Sequence, residues 1–350
     1  MVQQETRQWL LVNKPLNDPV LSGPNATFKL TRTTLPDLND DQVLLKVLYF
    51  SNDPAQRTWI QEGMDPERMY TTPVPLNAPM RSFGVCEVME SKAANLAKGS
   101  LVLASTGWSE YDVVNAGDCR PIHVSAGLSP TNFIGALGGP GLTACYGLID
   151  RVGTTAEDAV VISGAAGATG SMAVQVAKKL IGCKKVIGIA GSDEKCRWVE
   201  SLGADICVNY KSPSFKEDLK NATEGFVEVY FDNVGGEILD FMLTRVKRHG
   251  RIAACGAIAE YNRGFSSGLM NWHQIIFNRL EIKGFIITDA RATGKSEDFI
   301  KVLMKGVKEG KIKIGPETET VVPTKFEDVP RTWMMLFEGR NQGKLVTQIV

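Results

Sequence analysis

Several things are scarce in these 350 residues. Formal net charge is zero, with 39 basic and 39 acidic side chains and no basic run. Nothing steers such a chain toward nucleic acid or an acidic membrane surface. No apolar stretch is long enough to span a bilayer. The opening MVQQETRQWLLVNKP lacks the long apolar core of a signal peptide. The seven cysteines are scattered without a CxxC pair, which fits reduced thiols and a cytoplasmic location. Repeats and low-complexity tracts are absent. What remains is a globular composition, 43% hydrophobic, with length enough for two domains.

The most informative stretch is AVVISGAAGATGSMAVQVAKKLIGCKKVIGIAG, residues 159–191. Ala159 to Ser163 is a short apolar run rich in β-branched residues. Gly164, Gly167 and Gly170 follow at three-residue spacing. A helical pattern then covers Ser171 to Ile181, with Gly182 at the C-cap position. Val186 to Ile189 is the next buried strand. Strand, glycine turn, helix and strand in this order form the opening of a dinucleotide-binding fold. The small residues let the backbone turn tightly, approach a pyrophosphate and pack the helix close. Ala166, Gly167, Ala168 and Thr169 stand where the turn becomes the helix, whose unpaired N–H groups would face the phosphates.

The tip of the second strand selects the cofactor. An NAD site places Asp or Glu there, on the ribose hydroxyls. This chain has Ala190, Gly191 and Ser192, so no acid repels a 2′-phosphate at that point. Lys195 in the next helix's first turn opposes the helix dipole unless an anion lies nearby. Asp193 and Glu194 are one such anion source; the 2′-phosphate of NADP is the other. Tyr210, ending the third strand, can add a hydroxyl.

The first 125 or so residues carry short strand-like runs, Gln42 to Phe50 and Ser100 to Ser105 among them, between Pro-, Asn- and Gly-rich turns. Residues 56–82 form the longest irregular piece, expected to be a lid or substrate-binding segment. From about residue 130 strands and helices alternate. Strands are expected at Val160–Ser163, Val186–Ile189, Ile206–Asn209, Val227–Asp232, Arg251–Cys255 and Glu281–Ile287, with Gly203 and Gly250 stopping helices. Six such strands make a doubly wound parallel sheet of Rossmann type, with its crevice at their carboxyl ends. A helix at about 295–309 precedes a strand–helix–strand tail, which should rejoin the N-terminal region. The expected division is 1–128 with 316–350 as a mostly β catalytic domain, and 129–315 as the nucleotide domain.

The turns after the strands hold the remaining candidates. Asn233, in FDNVGG, can place its amide near a ribose. Cys255, Gly256, Ala257 and Ile258 can run beside the cofactor, and Tyr261 can project into the crevice. Backbone groups of Phe285, Ile286 and Ile287 can hold a carboxamide. Trp59, Met64, Met69, Tyr70, Trp108, Tyr111 and Trp272 are candidates for an apolar pocket.

GGPGLTACYGL (138–148), SGAAGATGS (163–171), GSDEK (191–195), NYK (209–211), YFDNVGG (230–236), CGAIAEYN (255–262) and GRNQGK (339–344) together resemble the medium-chain dehydrogenase/reductase superfamily. Within it, the chain is similar to the zinc-independent prostaglandin/leukotriene reductase and plant double-bond reductase family. SNDPAQR (51–57) is similar to that family's DP…R motif. The resemblance implies a Rossmann domain beside a GroES-like catalytic domain. It implies that Lys195 and Tyr210 hold the 2′-phosphate and that Asn233 and Asn341 contact the cofactor. Tyr261 would lie near the nicotinamide ribose and the substrate carbonyl. Tyr70 and Asn52 become the substrate-side candidates. Residues 263–278, RGFSSGLMNWHQIIFN, have no obvious match, and with the 56–82 loop they leave the substrate open.

The superfamily's zinc enzymes carry a cysteine after an early strand and a Gly-His-Glu segment. Here Ser51-Asn52-Asp53 and Met80-Arg81-Ser82-Phe83-Gly84 stand instead, and the only histidines are His123, His249 and His273. No zinc is expected. Without a Lewis acid, a simple carbonyl lacks strong stabilisation of its oxyanion. A conjugated enone spreads the charge as an enolate, for which hydrogen bonds suffice. The expectation is NADPH-dependent reduction of the C=C bond of an α,β-unsaturated ketone or aldehyde. Tyr261, at an ordinary tyrosine pKa of about 10, would stabilise the enolate or donate a proton. A quinone reductase, a polyketide-associated enoyl reductase and a non-catalytic NADPH-binding protein remain open. A β-branched run at Ile275 to Ile287 and the resemblance imply a homodimer.

Overall fold

A computed structural model describes residues 5–124 and 127–350; residues 1–4 and 125–126, part of the expected 1–128 segment, lie outside it. The chain forms two compact units. One takes the chain up to Ile134, then Thr320–Arg340 and Leu345–Val350; the other takes Gly135–Glu319 and Asn341–Lys344.

In the first unit β1 (Glu5–Leu11) and β2 (Phe28–Thr34) form an antiparallel ribbon. β3 (Gln42–Ser51), β4 (Arg81–Ser91), β5 (Leu101–Gly107), β6 (Tyr111–Asn115) and β7 (Arg120–Pro121) build a larger sheet. Strand β3 runs apolar almost throughout because it has a neighbour on each side and a covered face. The core centres on Phe28, Trp108 and Trp333, whose rings meet at 5.0–6.1 Å. Trp108, one of the apolar-pocket candidates, is therefore fully buried in this core. Residues 56–80 are irregular apart from short 3-10 turns at Pro54–Ile60 and Pro66–Arg68, while Arg81 and Ser82, also in the expected 56–82 loop, already belong to β4.

The second unit opens with α1 (Gly139–Cys145). It then alternates β8 (Ala159–Ile162), α2 (Ala168–Gln175), β9 (Lys185–Ala190), α3 (Asp193–Leu202), β10 (Ile206–Asn209), α4 (Phe215–Ala222), β11 (Val227–Asp232), α5 (Gly236–Leu243), β12 (Val246–Ala254), α6 (His273–Asn278) and β13 (Glu281–Gly284). The strands lie in the order β10-β9-β8-β11-β12-β13, all parallel. The order therefore reverses beside the first strand, where such sheets bind ligands. All four residues of central β8 are buried, as a parallel strand covered on both faces requires. α2 can lie close to that strand only because residue 170 is glycine: a Cβ there would stand 2.1 Å from the Gly164 carbonyl oxygen. The helix continues in wider π-type turns to Ile181 and ends on Gly182 in the left-handed region.

Two expectations fail here. Gly250 does not stop a helix; it lies within β12, beside a register shift against β11. The sixth strand ends at Gly284, so Phe285 and Ile286 form a link and Ile287 opens α7 (Ile287–Ala292). α8 (Lys295–Lys308) follows. The tail, β14 (Glu319–Thr324), α9 (Val329–Glu338) and β15 (Lys344–Ile349), returns to the first sheet, where β15 pairs antiparallel with β3. Among the described residues no helix is long and apolar enough to cross a membrane.

Candidate functional site

Three groups of candidates meet at the carboxyl edge of the parallel sheet. The first is the glycine turn after β8. Gly167 caps α2, so Ala168 and Thr169 form that helix's open first turn. The chain's tail lies against this turn: Gly343 N–H donates to the Ala166 carbonyl at 2.9 Å. Asn341 is buried and donates from Nδ2 to the Gly343 carbonyl at 2.9 Å. Gly343 is a site residue that sequence reasoning quoted without assigning. A Cβ there would stand 1.9 Å from the Thr318 carbonyl oxygen, so only glycine lets the tail reach the turn.

The second group surrounds the N-terminus of α3. Ser192 Oγ caps the helix by accepting from the Lys195 N–H at 3.2 Å. The ring of Tyr210 packs over Gly191, where a Cβ would be 3.0 Å from Cε1. Burial and the nearby Lys211 charge lower the Lys195 ammonium from its ordinary value, with Glu194 opposing them. Lys211 Nζ lies 5.9 Å from the centroid of the Tyr210 ring. Its place is set by Asn209, which accepts from the Lys211 N–H at 3.0 Å and donates to Asp193 at 2.8 Å. Sequence reasoning quoted Lys211 in NYK without giving it a role. Two ammonium groups, a phenol and a capped helix N-terminus thus converge on one place, an arrangement that favours a bound dianion.

The third group joins the tips of β11 and β12. Asn233 donates from its backbone N–H to Ser163 Oγ at 3.0 Å and from Nδ2 to the Ser163 carbonyl at 2.7 Å. The N–H groups of Cys255 and Gly256 both donate to the Asp232 carbonyl, at 2.9 and 3.0 Å. Ile258 N–H donates to the Asn233 carbonyl at 3.3 Å, so the two turns run side by side. Tyr261 folds back over them, and its hydroxyl oxygen accepts from the Ala257 N–H at 3.2 Å. Its ring meets Phe265 edge-on at 6.0 Å. Burial and the Asp232 charge push the Cys255 thiol up to about 12, so it stays protonated at neutral pH.

The other candidates are placed differently. Phe285 turns its ring into the core, against Tyr146 at 5.7 Å and Phe231 at 6.0 Å, leaving only backbone groups of 285–287 for a ligand. Asn52 and Tyr70 belong to the β-rich unit. Asn52 is buried and donates from Nδ2 to Thr347 Oγ1 at 2.9 Å, tying the end of β3 to β15. Tyr70 is exposed and accepts from Trp59 Nε1 at 2.8 Å, while the Arg81 guanidinium stacks 4.7 Å over the Trp59 ring. Among the described residues no group of three or more His, Cys, Asp or Glu side chains is placed to hold a metal ion.

Residues 7–122 match the family model for the N-terminal domain of oxidoreductase, and residues 168–305 match the one described as zinc-binding dehydrogenase. Prostaglandin reductase 1 of Bos taurus is 36% identical over 329 residues, 93% of this chain and 94% of its own. The NADPH-dependent curcumin reductase of Escherichia coli is 31% identical over 356 residues, 99% of this chain and 98% of its own. Among solved structures, CurA from Vibrio vulnificus in complex with NADPH superposes with a TM-score of 0.88 at 31% identity, covering 98% of this chain and 99% of that one.

Proposed function

The chain belongs to the zinc-independent prostaglandin reductase and double-bond reductase family of the medium-chain dehydrogenases/reductases, and from that premise we propose that it reduces the C=C bond of α,β-unsaturated ketones or aldehydes. It is an NADPH-dependent oxidoreductase of carbon–carbon double bonds. The finer assignment, to enones and enals, is supported by one observation above the rest: the Tyr261 hydroxyl is held on the Ala257 N–H at the sheet edge where the cofactor turns gather.

The residues fit NADPH. The glycine turn admits a pyrophosphate at the start of α2, and the convergence of Lys195, Lys211 and Tyr210 suits a 2′-phosphate. When bound, NADPH would supply the hydride for the β-carbon of the conjugated system. Ala166 to Thr169 would hold the pyrophosphate. Gly191 and Ser192 leave room beside the adenosine ribose, while Asn233, Asn341 and the 255–258 turn border the rest of the cofactor. Backbone groups of Phe285, Ile286 and Ile287 would orient the carboxamide. The Tyr261 oxygen accepts from the Ala257 N–H, and its O–H is the proton we assign to the substrate. That proton hydrogen-bonds the substrate oxygen as charge develops, or passes to the α-carbon. On the substrate side Tyr70 and Asn52 are the assigned contacts. Seven free thiols suit a reducing compartment, which we take to be the cytoplasm.

We further assign a homodimer. β13 is the last strand of its sheet, and it and the helix before it carry the exposed apolar residues Ile276, Phe277 and Ile282.

The test follows NADPH oxidation with a 2-alkenal, an aryl enone, the matching saturated carbonyls and a quinone, each with and without EDTA. Oxidation with the enal and enone alone, unaffected by EDTA, supports the reading. A response to the quinone alone makes the protein a quinone reductase. NADPH binding with no acceptor at all would make it a binding protein.

A further inference from the structure

One buried carboxylate at this edge has no role in the scheme above. Asp232 is 2% exposed. A single oxygen of it, Oδ1, accepts four hydrogen bonds: from Tyr230 Oη at 2.7 Å and from Ser163 Oγ, Val234 N–H and Gly235 N–H at 3.0 Å each. All four donors are neutral. Burial raises the Asp232 carboxyl above its ordinary value and these donors oppose it. Burial and the Asp232 charge push the Tyr230 phenol well above its ordinary value, so it remains a donor. A charge buried among neutral donors is an expensive way to fill a core position.

The donors come from both halves of the proposed cradle. Ser163 opens the glycine turn after β8; Val234 and Gly235 form the turn after β11. Ser163 is further bound to Asn233 twice, through its Oγ and its carbonyl. The carboxylate and the serine therefore lock one turn to the other. Tyr230, two residues back on the same face of β11, fixes the carboxylate from below. A cofactor spanning both turns needs one spacing between them, and a misplacement of about 1 Å is enough to lose most of a productive geometry.

We propose that Asp232 is a positioning residue that sets the spacing between the pyrophosphate-facing turn and the nicotinamide-ribose-facing turn. The proposal rests on the reading of this edge as the NADPH site. Its test compares the whole cofactor with a fragment. Affinities for NADPH and for 2′,5′-ADP, which carries the 2′-phosphate and the adenosine-side phosphate but lacks the nicotinamide half and so cannot span both turns, are measured for wild type, Asp232→Asn, Asp232→Ala and Tyr230→Phe, with melting temperatures and kcat and KM. Asp232→Asn keeps the shape and one acceptor oxygen, and Tyr230→Phe removes a single donor, so the test survives an Ala variant that fails to fold. We expect NADPH to weaken by about tenfold or more in Asp232→Ala, less in Asp232→Asn, with 2′,5′-ADP held within about twofold. KM for NADPH should rise in the same order. Equal weakening of both ligands, tracking the melting temperature, makes Asp232 merely structural and overturns the proposal, as does no change in either. Wild-type protein that binds neither ligand overturns the NADPH reading itself, and the positioning role with it.

Discussion

Lys195 and Lys211 are close enough for one to depress the other's charge, beside a helix end that already repels cations. That local cost is offset when a dianion is bound. Replacing Lys211 with Met should therefore leave the fold intact and raise KM for NADPH roughly tenfold, about the worth of one charged hydrogen bond. KM for NADH should stay put; an equal rise for both cofactors would remove Lys211 from the 2′-phosphate site. Lys195 stands out in the sequence as a 2′-phosphate candidate because the strand tip lacks an acid and a cation sits in a first helical turn. Lys211 does not, because its position depends on Asn209 reaching across to Asp193, a contact between segments sixteen residues apart. Tyr261 was readable as a group on the sheet edge, but its anchor on Ala257 was not. Tyr261→Phe should lower turnover roughly 100-fold, the low end for a positioned proton donor, with NADPH affinity nearly unchanged. Unaltered turnover would take Tyr261 out of the mechanism.

At the level of elements, the parallel sheet was legible because its central strands β8, β9 and β11 are apolar and buried almost throughout and two of its helices end on Gly182 and Gly203. The errors arose where a neighbour decides. Residues 281–287 read as one β-branched run, yet β12 offers a partner only as far as Ala254, which pairs with Gly284. Phe285 has no ladder to join, and its ring leaves for Tyr146 and Phe231. Gly250 resembles a helix stop, but it serves an irregular strand in which the preceding His249 takes a left-handed φ of 61°. The amino ends of β8, β11 and β12 are joined by Glu228, which accepts from the Ala159 N–H at 2.8 Å, Lys247 at 3.0 Å and Lys184 at 3.1 Å. Burial works against its charge, but these donors hold its carboxyl down to about 2. A depressed carboxyl stabilises the fold above its unfolded pKa of about 4.3 and loses that contribution as pH falls toward the folded value. Glu228→Gln should accordingly cost about 1–3 kcal/mol at pH 7. The difference from wild type should shrink between about pH 4.3 and 2, as denaturant titrations at several pH values would read. A difference that is constant with pH would show the charge to be idle.

For the molecule as a whole, the open question is how many copies work together. β13 bonds to β12 on one side and ends its sheet. An unpaired edge of this kind invites another strand. In the strand Ile282 is 41% exposed, and in the helix that precedes it Ile276 is 65% exposed, Phe277 63% and, at its N-cap, Trp272 57%, apolar surface that a lone chain would leave in water. A second copy turned by a twofold axis presents the same edge and the same apolar surface, so one patch satisfies both partners. The sequence hinted at this through its β-branched run, although part of that run is helix α6 rather than strand. Light scattering on the wild-type protein should then give twice the chain mass of 38.2 kDa. Ile276→Glu combined with Phe277→Glu should return a chain of single mass, because two like charges would face their copies across the axis. Both residues lie on a surface helix, so the variant should keep its NADPH affinity. A wild-type monomer at micromolar concentration would refute the dimer, and an unchanged dimer in the variant would move the interface away from this edge.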